Sequence, residues 1–376
     1  MLRRRDRGSL PGAKLPNRCP IKGFYPMKRL IPLSLALTLL LVACGSDAEE
    51  TTTTSTTTPV VATTITTTST SITTTTTRDP GPTSPVTGLE SANPDLLDRR
   101  VVAIKIDNHP DARPQSGLET AAAVYELPVE ASLTRFIALF HDQDGQYVGP
   151  NRSGRPTDPT LVAPIGATFV ISGAQPWVQG VLNKYDVSWF GEIRGPSFRV
   201  STRRAPHNLY VNTELVRAEA DRREFDDVPP PDMFTWGEFP ADAEEATEIL
   251  FDWSSSTKVT WTWNGSGYER STGGTTQDWI SQDGETQEPI EMDTLIVLYA
   301  RQYTASGSTG SAVPALETVG TGLAQVFAGG RVVEGTWTRA SADELFVLTT
   351  EDGSILEVPP GRPWINIFPD NRTVTW

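Results

Sequence analysis

The residues best suited to chemistry fall in seven short polar runs between positions 107 and 210. They are Asp107-Asn108, Ala112–Gly117, Tyr125-Glu126 with Glu130, Thr134-Arg135, Gly149–Arg155, Ser172-Gly173 and Arg204–Tyr210. Arginine offers a planar fork of donors that matches a carboxylate or a phosphate. Turns containing Gly and Pro let backbone N–H groups approach a ligand closely. Asp107, Asn108, Arg113, Gln115, Arg135, Arg152, Arg155, Arg204, His207 and Asn208 are therefore the candidate ligand-binding residues, for an anion. The competing reading is structural, with the same arginines forming salt bridges to Glu126 and Glu130. The two are compatible, since a carboxylate can orient an arginine that also holds a ligand. Glu126 and Glu130 with His207 form the catalytic alternative, a general acid/base set at a glycan bond, although spacing alone does not fix the carboxylate separation. A Ser116–His207–Asp107 triad lacks the GxSxG elbow that would expose the serine. No phosphate-loop or dinucleotide motif is present, so no cofactor is expected. No metal is expected either: His109, His141 and His207 are scattered, and Cys19 and Cys44 are the only cysteines.

These runs sit beside segments that read as regular structure. Val101–Ile106, Thr134–Phe140 and Ala167–Ser172 read as buried strands, the first ending at Asp107-Asn108 and the third closed by Gly173. Ser116–Val124 reads as a short helix capped by Ser116, and Pro156–Pro164 as irregular or briefly helical. Ala174–Tyr185 and Asn212–Phe225 read as helices, the latter capped by Asn212 with Glu214 in its first turn. Strand and helix alternate, which predicts an α/β or α+β layer fold, and ligands in such folds gather beyond strand carboxyl ends. Asp226–Asp232 breaks the chain with three prolines. Beyond it the period is two. Val259–Trp263 alternates, Asn264-Gly265 signals a hairpin, and Tyr268 lies on the return strand. Asp293–Ala300, Ala324–Phe327, Arg331–Trp337, Leu345–Thr349 and Trp364–Phe368 complete a mostly antiparallel all-β lobe, its tryptophans read as core.

The amino-terminal region carries an address. From Met27, Lys28 and Arg29 precede an apolar run, Leu30–Val42, that is too short to span a bilayer as a helix but suits a secretion signal. Leu41-Val-Ala-Cys44-Gly resembles a bacterial lipobox, which implies lipidation of Cys44 and a membrane anchor of two acyl chains. Residues 1–26 hold seven basic residues and no apolar run, so Met27 is the expected start. Residues 51–77 contain 18 threonines and no periodic apolar face, and read as a disordered tether. Loss of residues 1–43, which carry nine bases and one acid, takes the net charge from −14 to −22, which disfavours nucleic acid as a partner. The charge is uneven: residues 99–210 have 12 bases against 10 acids, while 211–376 have 10 against 28.

Asp107-Asn…Ala-Arg-Pro-Gln-Ser-Gly117, Tyr125-Glu…Glu130…Thr-Arg-Phe136, Gly149-Pro-Asn-Arg-Ser-Gly-Arg155 and Ala205-Pro-His-Asn-Leu-Tyr210 together resemble the YerB-like bacterial envelope lipoproteins. Tyr268-Glu-Arg270, Gly320-Thr-Gly322 and Gly335-Thr-Trp337 extend the resemblance over residues 85–376. Asn151 and Gly154 depart from the small apolar residue and the alanine usual there. The resemblance implies a lipid-anchored, two-domain protein of α/β then β type and brings no reaction with it. The expected organisation is a signal region at 1–43, lipidated Cys44 and spacer over 44–90, an α/β domain over 91–230 and a β-rich domain over 240–376. The leading functional expectation is an extracytoplasmic binding module for an anionic cell-wall component or envelope protein. A wall-polymer hydrolase or transferase, and a partner-docking protein using its acidic β lobe, are the alternatives.

Overall fold

The computed structural model describes residues 81–376. The signal region, Cys44 and the Thr-rich tract lie outside the described residues. Strands dominate and helices are few. In chain order the first half contains β1 (Val102–Asp107), β2 (Ala123–Pro128), β3 (Thr134–Phe140), α1 (Asp158–Val162), β4 (Thr168–Val170), α2 (Pro176–Lys184), β5 (Trp189–Phe190), β6 (Ser197–Arg199), β7 (Leu209–Val211) and α3 (Thr213–Arg222). The second half is all strand, including Lys258–Trp263, Tyr268–Thr272, Thr294–Ala300, Gly320–Ala328, Arg331–Arg339 and Pro363–Pro369.

Residues 116–122 are not helical. Ser116 pairs instead with Gly149, its N–H donating to the Gly149 carbonyl at 2.9 Å, and a strand starts at Ala123. A local capping preference has yielded to long-range pairing. The capping expectation for α3 holds: the Asn212 side chain accepts the Leu215 N–H at 3.1 Å.

The halves share one eleven-stranded mixed sheet. At its centre β3 lies between β1 and β2, antiparallel to both. Strand Pro363–Pro369 pairs parallel with β2 on one side and with Thr294–Ala300 on the other. The second half of the chain is thus stitched into the first through its last long strand. Successive residues of each central strand serve opposite faces. Ala103, Ile137, Leu139, Ile296 and Ile365 belong to one core, and Val102, Ile104, Phe136, Ala138, Leu295 and Trp364 to the other. Both faces are covered, which is why these strands read as continuous apolar runs. A second sheet, of six strands, carries the Trp263–Tyr268 hairpin, with a loop in which Asn264 accepts the N–H groups of Ser266 and Gly267.

Trp261, Trp337 and Trp364 are fully buried, as expected of core residues. No helix among the described residues is long and apolar enough to cross a membrane.

Candidate functional site

Asp107 closes β1 and lies directly opposite Arg135 in the β3 register. Around this strand end fold the loops 108–116, 149–155 and 204–208. Each contains a cis proline peptide: Arg113–Pro114, Gly149–Pro150 and Ala205–Pro206. The 149–155 loop is fixed to the sheet by backbone bonds, from Asp107 N–H to Pro150 O at 2.9 Å and from Arg152 N–H to Lys105 O at 2.8 Å. Gly149 is needed there, since a Cβ would come within 2.9 Å of the Leu209 carbonyl. Asn151, a departure from the family pattern, is fully buried. Its amide donates to the carbonyls of Lys105 and Val170 at 2.9 and 3.0 Å, tying β1 to β4.

An outer group of charges results. His207 Nδ1 lies 2.8 Å from Asp107 Oδ2, and Arg152 Nε lies 3.2 Å from the same oxygen. The arginine contact is one of charge, for that N–H makes no aligned hydrogen bond. Arg155 donates to Glu130 at 2.8 Å and to the Gly154 carbonyl at 2.8 Å. Burial raises the Glu130 carboxyl, but Arg155 above all outweighs it and holds the group below its ordinary value. Arg135 and Arg155 both donate to the Ser153 carbonyl, at 2.8 and 3.3 Å, so their guanidinium groups are neighbours. Beneath them Lys105 and Asp158 form a wholly buried pair at 2.7 Å. Desolvation brings the Lys105 ammonium down to about 8 against the pull of Asp158, and Arg135 and Arg155 push in the same direction as burial.

An inner group is held together by hydrogen bonds. Asn108 Oδ1 accepts from Arg113, Gln115 and Gln277 at 3.0, 3.1 and 3.0 Å. Glu126 accepts from Thr134 at 2.6 Å, from Arg270 at 2.8 Å and from the Trp364 indole at 2.8 Å.

The structure therefore sorts the expected residues. Asp107, Arg135, Arg152, Arg155 and His207 come together. Asn108, Arg113 and Gln115 form the layer behind them. Arg204 is exposed, and its guanidinium makes no hydrogen bond or ion pair. Asn208 turns away, donating to Val200 O and accepting from Arg199. Glu126 is corrected as a catalytic candidate: it is fully buried and all its contacts are internal, so no polymer reaches it. Ser116, also buried, makes no side-chain bond to His207. The fold also brings together two histidines that are scattered in the sequence. His109 and His207, 98 positions apart, stack with ring centroids 4.9 Å apart and planes 19° from parallel. With Asp111 they form the one group of potential metal ligands among the described residues.

Lys105, Asp158, Gln277 and Arg270 were not singled out by type and spacing. Arg270 closes the motif Tyr268-Glu-Arg270. On the acidic lobe, Val319, Leu323 and Trp376 are exposed around a cavity of about 570 Å³ that Arg301, Glu317 and Asp370 also line.

Comparison with known proteins agrees with the resemblance in the motifs. The N-terminal domain model of the family described as "Protein of unknown function (DUF3048)" matches residues 86–226, and its C-terminal domain model matches 249–365. The chain is 29% identical over 296 residues to "Putative lipoprotein YerB" of Bacillus subtilis (strain 168), covering 76% of this chain and 86% of that protein. The crystal structure of YerB protein from Bacillus subtilis superposes with a TM-score of 0.67 at 25% identity, over 78% of this chain and all of that one. With both domain models matched in order over most of its length, the chain belongs to the DUF3048 family and has its two-domain architecture.

Proposed function

We propose that this is a lipid-anchored extracytoplasmic protein that captures an anionic group of an envelope component at Arg135, Arg152 and Arg155. The anchoring half rests on Cys44 at the end of its apolar run and on similarity to a relative named as a lipoprotein. The binding half rests on Arg135. It is 8% exposed, yet no carboxylate lies within ion-pair distance, and its buried Nε has no hydrogen-bond partner. Desolvation, then the like charges of Arg155 and Arg152, bring its guanidinium down to about 10, while Asp107 and Glu130 oppose them. A buried cation short of an anion is costly, and a phosphate or carboxylate beside it removes that cost. Arg152, a quarter exposed, leads from this group to solvent.

Thermal melts with inorganic phosphate, with muropeptides and with a glycerol-phosphate polymer test the reading. At least one should raise the melting temperature of the wild type, and Arg135→Gln should weaken that ligand by roughly 1.5–3 kcal/mol, the scale of a charged hydrogen bond. Indifference of the wild type to all three at millimolar concentration would end the proposal.

A further inference from the structure

We propose that His109, Asp111 and His207 bind a divalent transition-metal ion of the zinc class. His109 and Asp111 stand on the 3-10 turn that follows β1, and His207 stands on the 204–208 loop. One donor atom from each lies within 4.8 Å of the others. His109 Nδ1 and Asp111 Oδ2 are 3.7 Å apart. Two donors on one tetrahedral zinc, each at ~2.0–2.1 Å, are about 3.4 Å apart, so only a small closure is needed. Asp111 is 76% exposed at its side chain and free to make it.

The two imidazoles are prepared differently for the same role. His207 Nδ1 faces the carboxylate of Asp107, which is itself buried. That contact makes Nδ1 the protonated nitrogen and leaves the Nε2 lone pair open. A carboxylate behind a ligating histidine is the usual outer support of a metal site. His109 Nδ1 accepts the backbone N–H of Asp111 at 3.1 Å, so the nitrogen that faces the Asp111 carboxylate already carries a lone pair. An incoming metal replaces that hydrogen bond without a change of tautomer. Stacking of the rings keeps the two histidines side by side. Two imidazoles and one carboxylate favour zinc and its neighbours over calcium or magnesium, which take oxygen donors. Three protein donors leave a fourth position for water or for an oxygen of a bound anion. None of Arg135, Arg152 and Arg155 is a ligand here, and only Arg152 touches the supporting Asp107, so zinc binding is tested separately from the anion reading.

The test is zinc titration of the full-length, untagged, chelator-stripped chain, by calorimetry and by competition with a chromogenic chelator. The expected result is one saturable site per chain. His109→Ala/His207→Ala should abolish it, and Asp107→Asn should weaken it roughly 10–100-fold, the usual effect of removing an outer carboxylate. Melts in excess chelator check that the variants remain folded. Where the double variant does not fold, His109→Ala alone carries the test, since that ring is 40% exposed. No saturable uptake at about 100 µM zinc, well above the range of a specific site, or equal uptake by wild type and folded variant, overturns the proposal.

Discussion

Glu126 and Arg270 decide whether the polar heart of this protein is machinery or scaffold. Both are wholly buried, 2.8 Å apart, and 144 positions separate them. Glu126→Gln keeps the shape and removes the charge. The Gln amide nitrogen would then face either the Arg270 guanidinium or the Trp364 indole N–H, and both are donors. Arg270 would retain the faces of Phe136, Trp261 and Trp364, at 5.3, 5.2 and 5.0 Å. Those contacts do not replace a counter-charge: burial already draws its guanidinium below the ordinary range, with Glu126 resisting. Breaking a buried pair at one end costs about 3–5 kcal/mol. At about 2–4 °C per kcal/mol for a chain of this class, the melting temperature should fall by roughly 6–20 °C. Adding Arg270→Met should recover much of the loss, because the uncompensated charge goes with it. Scanning calorimetry of wild type, single and double variants measures this. A single variant within about 1 kcal/mol of wild type, or a double variant as unstable as the single, would refute the argument.

Two further outcomes are expected. Cys44→Ala should leave the protein unlabelled by a fatty-acid probe and released from membranes or unprocessed; labelling equal to wild type would exclude Cys44 as the anchor. Asp144 accepts from Thr213, Arg99 and Arg217 at 2.7, 2.9 and 3.0 Å, and although burial raises its carboxyl, Arg217 and the other donors hold it below the ordinary value. The unfolded chain therefore takes up that proton first as pH falls, and Asp144 contributes stability above the unfolded carboxylate pKa that is lost on descent through the lower folded one. Asp144→Asn should cost roughly 1.5–3 kcal/mol at neutral pH, with the gap from wild type closing as pH falls below the ordinary aspartate value of about 3.9; a gap that does not depend on pH would contradict this.

The sequence was most legible where one strand's own pattern suffices. Thr134–Phe140 and Val259–Trp263 stand close to where their patterns place them. Ala123–Pro128 was hidden for a physical reason. It is covered on both faces, so it shows no alternation, and its one acid, Glu126, is buried against a partner far along the chain. The parallel pairing of Pro363–Pro369 with β2 was equally invisible, because nothing local encodes a neighbour some 240 positions away. The candidate site divides the same way. Runs at the end of β1 and in the Gly-Pro loop pointed to Asp107, Arg152 and Arg155 by type and place. The nearness of His109 to His207 depends on the folding of two loops, so counting histidines along the chain does not reveal it.

The buried network also says how the two family segments work on one site. Gln277 donates to Asn108 and Gln115 at 3.0 and 3.1 Å, and the Ile280 N–H donates to the Gln115 carbonyl at 2.8 Å. Gln115 in turn donates to the carbonyl of Asp107, the residue that holds His207. The clustered arginines Arg135, Arg152 and Arg155 belong to the first segment, but the layer behind their neighbour Asp107 is completed by the second. Loosening Gln277 should therefore reach the loops through Asn108 and Gln115, two residues that hold no charge to lose. The second segment thus supplies part of the layer that holds the site's polar residues in place.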